Sequence, residues 1–145
     1  MIPPASGRVY VDANALIYRI ERAEPYYSAS APLWDAVRAG RLELETSEVS
    51  LLEVLVKPIR DNNQTLARIY RDYFEQGFGF IVHPVSREIL EQAAAVRADH
   101  RLRTPDAIHA ATAIMVASPL FLTNDSDFRK VPGLNVAILD EIVAA

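Results

Sequence analysis

Four carboxylates stand at positions in this chain where they could do chemistry together. Asp12 closes the short β-prone run Arg8-Val9-Tyr10-Val11, and Asp125 follows directly on Leu120 to Thr123. Glu53 interrupts the apolar stretch Leu51-Leu52-Glu53-Val54-Leu55-Val56, and Asp106 opens an alanine-rich segment. In open parallel sheets ligands bind beyond the carboxyl ends of strands, so Asp12 and Asp125 are candidates to face one cleft. Acids gathered there from distant parts of the chain repel one another and raise each other's pKa unless hard cations neutralise them. Mg²⁺ or Mn²⁺ suits carboxylate and water oxygens, and no softer donor set competes. The chain has no cysteine, and His83, His100 and His109 lack zinc-like spacing. Metal ions held this way can acidify a bound water, set it in line with a phosphodiester and stabilise the developing charge, with no protein nucleophile.

Each acid also has a structural explanation. Asp12 and Asn14 can cap one helix, and Asp125 and Asp127 a shorter one. Glu53 can lie on a solvated stripe, although an ionised carboxylate inside an apolar run is rarely buried without a partner. Asp106 suits the positive end of a helix dipole. Asn14, Ser47, Thr123 and Asn124 could orient ligands or water, with capping as the simpler role for Asn14 and Ser47. Arg19, Arg101, Arg103, Arg129 and Lys130 lie near these segments and could hold phosphates, or could belong to an ordinary charged surface. His109, one turn after Asp106, could contact substrate or be a satisfied structural histidine.

The elements that must position these residues read as strands alternating with helices. A strand over Arg8 to Asp12 leads into a helix from Asn14; Ser28 to Ala39 reads as a second helix, closed by Gly40, and Leu42 to Thr46 as a strand. Ser47 can cap the next helix, which Pro58 is expected to end. Helix follows over Thr65 to Gln76, strand over Phe78 to Val82, helix from Ser86 to about Arg101 and again from Pro105 to Val116. Leu120 to Thr123 and Val136 to Leu139 are the last strands, with a short helix or turn over Asp125 to Lys130. This pattern predicts one three-layer α/β/α domain over residues 1–145 with a mainly parallel central sheet, residues 1–7 being a loose lead-in.

At 145 residues the chain suits one domain, and 50% hydrophobic with 23% charged residues excludes a disordered tail. A net charge of −4 argues against gripping nucleic acid by bulk positive charge, though not against a local basic groove. The longest apolar stretch, Ala107 to Leu122, is interrupted by His109 and Pro119, and no membrane span or secretory signal is expected; a cytoplasmic location is compatible. There is no glycine-rich phosphate loop and no nucleophile-elbow motif. The aromatics Trp34, Tyr70, Tyr73 and Phe74 could pack the core or meet a partner.

Four blocks carry a family resemblance: Tyr10 to Tyr18, Ser47 to Glu53 with its run into Pro58, Thr104 to Ala113, and Leu122-Thr123-Asn124-Asp125-Ser126-Asp127-Phe128. In this order they resemble a PIN domain of the VapC type, the toxins of toxin–antitoxin modules. The resemblance implies a metal-dependent endoribonuclease in which Asp12, Glu53, Asp106 and Asp125 surround one or two Mg²⁺ or Mn²⁺ ions, with Asp127 as an additional acid. It also implies a homodimer, neutralised by a cognate VapB-type antitoxin, and an RNA substrate. Two other readings compete. An aspartate-based phosphatase needs Asp-x-Asp after its first strand, and Asn14 stands in the second acid's place. A noncatalytic α/β signalling or protein-binding module leaves Glu53 and Asp106 unexplained.

Overall fold

Val9, Tyr10 and Val11 are fully buried in β1 (Gly7–Val11), the pattern of a strand covered on both faces. The computed structural model describes residues 7–76 and 79–145. The lead-in before Gly7 and the Phe78 end of the expected third strand lie outside them. After β1 come α1 (Ala13–Ile20), α2 (Tyr26–Ala29), α3 (Ala31–Arg38), β2 (Leu42–Ser47), α4 (Val49–Arg60) and α5 (Gln64–Gln76). The chain continues through β3 (Phe80–His83), α6 (Arg87–His100), α7 (Thr104–Met115), β4 (Phe121–Thr123), a 3₁₀ turn (Ser126–Lys130), β5 (Val136–Ile138) and α8 (Leu139–Ala144).

The strands form one five-stranded sheet in the order β3-β2-β1-β4-β5, every pairing parallel. Because side chains alternate along a strand, β1 sends Val9 and Val11 into one core and Tyr10 into the other. The first core holds Leu16, Leu33, Trp34, Val54, Tyr70 and Leu139. The second joins Tyr10 and Phe121 to Ile89, Ala93 and Val96 of α6 and to the alanine face of α7. The result is the expected α/β/α layering.

Three boundaries differ from the sequence expectation. Pro58 does not end α4, which runs two residues further to Arg60. A proline in the last turn sacrifices only one helical hydrogen bond, and the stop comes from Asn62, whose φ is 58°. The helix expected over Ser28 to Ala39 is two, broken at Ser30, because Pro32 in the first turn of α3 offers no N–H to the turn before it. The last strand stops at Ile138, and α8 begins where Asn124 Oδ1 accepts the Asp140 amide at 2.8 Å. Trp34 and Tyr70 belong to the core, whereas Tyr73 remains 36% exposed.

Candidate active site

From β1 the chain moves outward to β2 and β3, then returns to place β4 on the other side of β1. The loops leaving β1 and β4 therefore part company, which opens a crevice at the carboxyl edge of the sheet. Asp12 and Asp125 are the first acids beyond these two strands. A recess of about 30 Å³ lies there, lined by Asp12, Ala13, Asn14, Glu53, Arg103, Asp106, His109 and Asp125. Acids from four separate segments thus border one small, open space.

Asp12 is 6% exposed. Its Oδ1 caps α1 by accepting the Ala15 amide at 3.0 Å, and its Oδ2 accepts the Thr123 hydroxyl. The capping and site readings are therefore compatible. Burial pushes the Asp12 carboxyl above its ordinary range; His109, Thr123 and the Ala15 amide oppose this, and Glu53 adds to it. Thr123 Oγ1 also accepts the Asp125 amide at 3.0 Å, so one hydroxyl ties the two acids together. Asp125 in turn caps the 3₁₀ turn through the Asp127 amide at 2.9 Å.

Asp106 sits in the first turn of α7, its backbone placed by Pro105. Burial raises its pKa, the Arg103 guanidinium counters that, and Asp125 pushes it up further. Arg103 Nε donates to Asp106 Oδ2 at 3.1 Å while its own side chain is 81% exposed. Glu53 projects from α4 between the buried Val54 and the exposed Leu52, and its Oε1 lies 2.7 Å from His109 Nε2.

Of the remaining candidates, Asn14, Arg103 and His109 also line the recess, and the others fall elsewhere. Asn14 is exposed at the rim; Ser47 is buried and accepts the Val49 amide at 3.1 Å, holding the start of α4. Asn124 holds α8, as above. Asp127 is exposed and 3.0 Å from Lys130, outside the residues lining the recess. Arg129 pairs with Glu141, and Arg19 lies over the Trp34 ring. Only Arg103 of the five basic candidates lines the recess. His109 is a recess residue with both ring nitrogens engaged, to Tyr10 Oη at 2.8 Å and to Glu53. Its spacing of three residues from Asp106 was the available signal; Tyr10 offered none, because a tyrosine in a buried strand reads as core.

The donors around the recess are hard oxygens carrying charge that the protein itself leaves under-neutralised, which fits Mg²⁺ or Mn²⁺. Among the described residues no three Asp, Glu or His side chains form a ready-made cage. Asp106 is engaged by Arg103 and Glu53 by His109.

The PIN domain model matches residues 9–134, and the chain belongs to the PIN domain family. Its fold is similar to that of VapBC2 from Rickettsia felis bound to a promoter DNA fragment, with TM-score 0.70 and 15% identity over 90% of this chain and 98% of that one. A toxin–antitoxin complex from Klebsiella pneumoniae gives TM-score 0.64 and 23% identity over 90% and 97% of the two chains. Mycobacterium tuberculosis VapC20, a toxin that cleaves the sarcin–ricin loop, gives 0.69 and 18% over 84% and 93%. No curated protein matches the chain by sequence.

Proposed function

We propose that this protein is a divalent-metal-dependent endoribonuclease and the toxin of a toxin–antitoxin pair. The observation that carries the reading is the shared recess: Asp12, Glu53, Asp106 and Asp125, from four separate segments, line one space at the switch point of a PIN sheet. Asp12, Asp106 and Asp125 would hold Mg²⁺ or Mn²⁺, with Glu53 as a further oxygen donor. When bound, such an ion supplies an acidified water and stabilises charge on the reacting phosphate. Thr123 holds Asp12 and Asp125 together, and Asp106, bonded to Arg103 in this structure, would be a ligand to the cation. Arg103, bonded to Asp106 but with a largely exposed side chain at the mouth, would meet a substrate phosphate. The sarcin–ricin loop activity of VapC20 supports RNA as the substrate class.

The toxin–antitoxin complexes among the structural neighbours support a cognate antitoxin as partner. Leu52, Val56 and Ile59, 64%, 48% and 58% exposed on the outer side of α4, form an apolar stripe that suits protein contact, whether with the antitoxin or with a second copy in a homodimer. Among the described residues no helix is long and apolar enough to cross a membrane. The test is cleavage of total RNA by purified protein with Mn²⁺ or Mg²⁺. We expect defined new RNA ends that EDTA abolishes; a noncatalytic module leaves the RNA intact under every condition.

A further inference from the structure

Glu53 differs from the other acids of the recess in its tether. Asp12, Asp106 and Asp125 have short side chains beside strand ends or a helix start, each bonds to a group within three residues of it, and Asp12 bonds Thr123 of β4 as well. Glu53 has a longer, more flexible side chain on α4, and its neighbours Leu52 and Val56 face solvent. Among the described residues, the only side-chain bond holding it in the recess runs to His109 Nε2, at 2.7 Å. His109 is 1% exposed and comes from α7; its Nδ1 is 2.8 Å from the hydroxyl of Tyr10, which is fully buried in β1. The Tyr10 ring is fixed by stacking on Phe121 at 5.1 Å between centroids and 7° between planes.

A continuous chain of side chains thus runs Phe121, Tyr10, His109, Glu53, linking β4, β1, α7 and α4. It begins in the packed core and ends in the recess. The Glu53 carboxylate accepts from Nε2–H, and the Tyr10 hydroxyl pairs with Nδ1. A buried histidine with both nitrogens spoken for cannot rotate without leaving a polar group unpaired, so the ring is locked.

We propose that Tyr10 and His109 are positioning residues that hold the Glu53 carboxylate in the recess for divalent-cation binding. This rests on the nuclease reading above. The locked imidazole replaces the rotamer freedom of a glutamate on a partly exposed helix with one orientation, and the loss of such a support typically costs about 10–100-fold in metal affinity.

The experiment measures Mn²⁺ affinity by calorimetry in wild type, Tyr10→Phe, His109→Ala and His109→Gln, with the histidine nitrogens followed by NMR in the metal-free protein. Gln keeps an N–H donor at about the reach of Nε2, and Phe keeps the Tyr10 ring while removing its hydroxyl. The expected result is a Kd about 10–100-fold weaker in His109→Ala, largely restored in His109→Gln and several-fold weaker in Tyr10→Phe. The NMR spectrum should show Nε2 protonated, with its signal moving in Glu53→Ala. A purely structural role lowers the melting temperature of the metal-free variants and leaves Mn²⁺ affinity as in wild type, which overturns the proposal. Tyr10→Phe, the mildest change, provides that comparison if His109→Ala does not fold. Wild-type protein that binds no Mn²⁺ defeats the nuclease reading itself, and the proposal with it.

Discussion

Two buried carboxylates on neighbouring strands have opposite surroundings. Glu45, on β2 in register with Tyr10, is fully buried and accepts from Arg8 Nη1 at 3.0 Å, His83 Nε2 at 2.7 Å and Ser118 Oγ at 2.6 Å. Asp12, just past the end of β1, is nearly as buried, yet its donors are one amide and one hydroxyl, and other acids share its recess. Burial is common to both. What separates them is that the protein brings a guanidinium to Glu45 itself, whereas Asp12 bonds none and the four acids of its recess share the single guanidinium of Arg103. A carboxylate matched by the fold is structural; one that the fold buries and leaves short of positive charge is poised for a cation.

The largest expected effect is on chemistry. Asp12→Asn should reduce Mn²⁺-dependent RNA cleavage by about 1,000-fold, the scale for removing a charge at a reacting centre, as measured in single-turnover assays. Cleavage retained in this variant would place Asp12 with Glu45 as a structural acid.

Glu45→Gln should act on the fold instead. It leaves Arg8 without its carboxylate and should cost about 3 kcal/mol in urea unfolding, the lower end of the range for a broken buried pair because Arg8 is a third exposed. Mn²⁺ affinity of the folded fraction should not change. Weakened Mn²⁺ binding would show that the two clusters are coupled.

The pH dependence of the metal-free protein sharpens the contrast. The folded pKa values of Asp12 and Asp106 lie above their unfolded values, chiefly through burial. The folded state therefore holds more protons, and stability falls as pH rises from about 4 through the folded values. Asp106→Asn should leave the metal-free protein at least as stable at neutral pH and, combined with Asp12→Asn, flatten this part of the profile. Urea midpoints across a pH series measure it. A profile unchanged in the double variant would mean that these acids are not strained by burial.

The smallest effect is expected at Asp127. Asp127→Asn loses an exposed contact to Lys130 and should change stability by no more than about 0.5 kcal/mol, with Mn²⁺ affinity as in wild type by calorimetry.

Much of this arrangement was legible before any coordinates. Val9 to Val11, Leu120 to Thr123 and the helices between them carry strong periodic signals, and strand-end aspartates in a parallel sheet have one place to go. Glu53 was legible because a charge inside an apolar run needs a partner, but the identity of that partner was not, since His109 lies 56 residues away. Glu45 was hidden for a different reason. The alternation Leu42-Glu43-Leu44-Glu45 reads as a half-solvated strand, yet α7 packs on β2 and of these four residues only Glu43 stays exposed. The break at Ser30 and the start of α8 turn on single proline and asparagine contacts, too local for a period to register.

The most direct test of the central claim is anomalous diffraction from crystals soaked in Mn²⁺. The expected result is an anomalous peak in the recess touching carboxylate oxygens of Asp12 and of at least one of Asp106, Asp125 and Glu53. A recess without a peak under conditions where the protein cleaves RNA, or a peak only at other carboxylates, would contradict it.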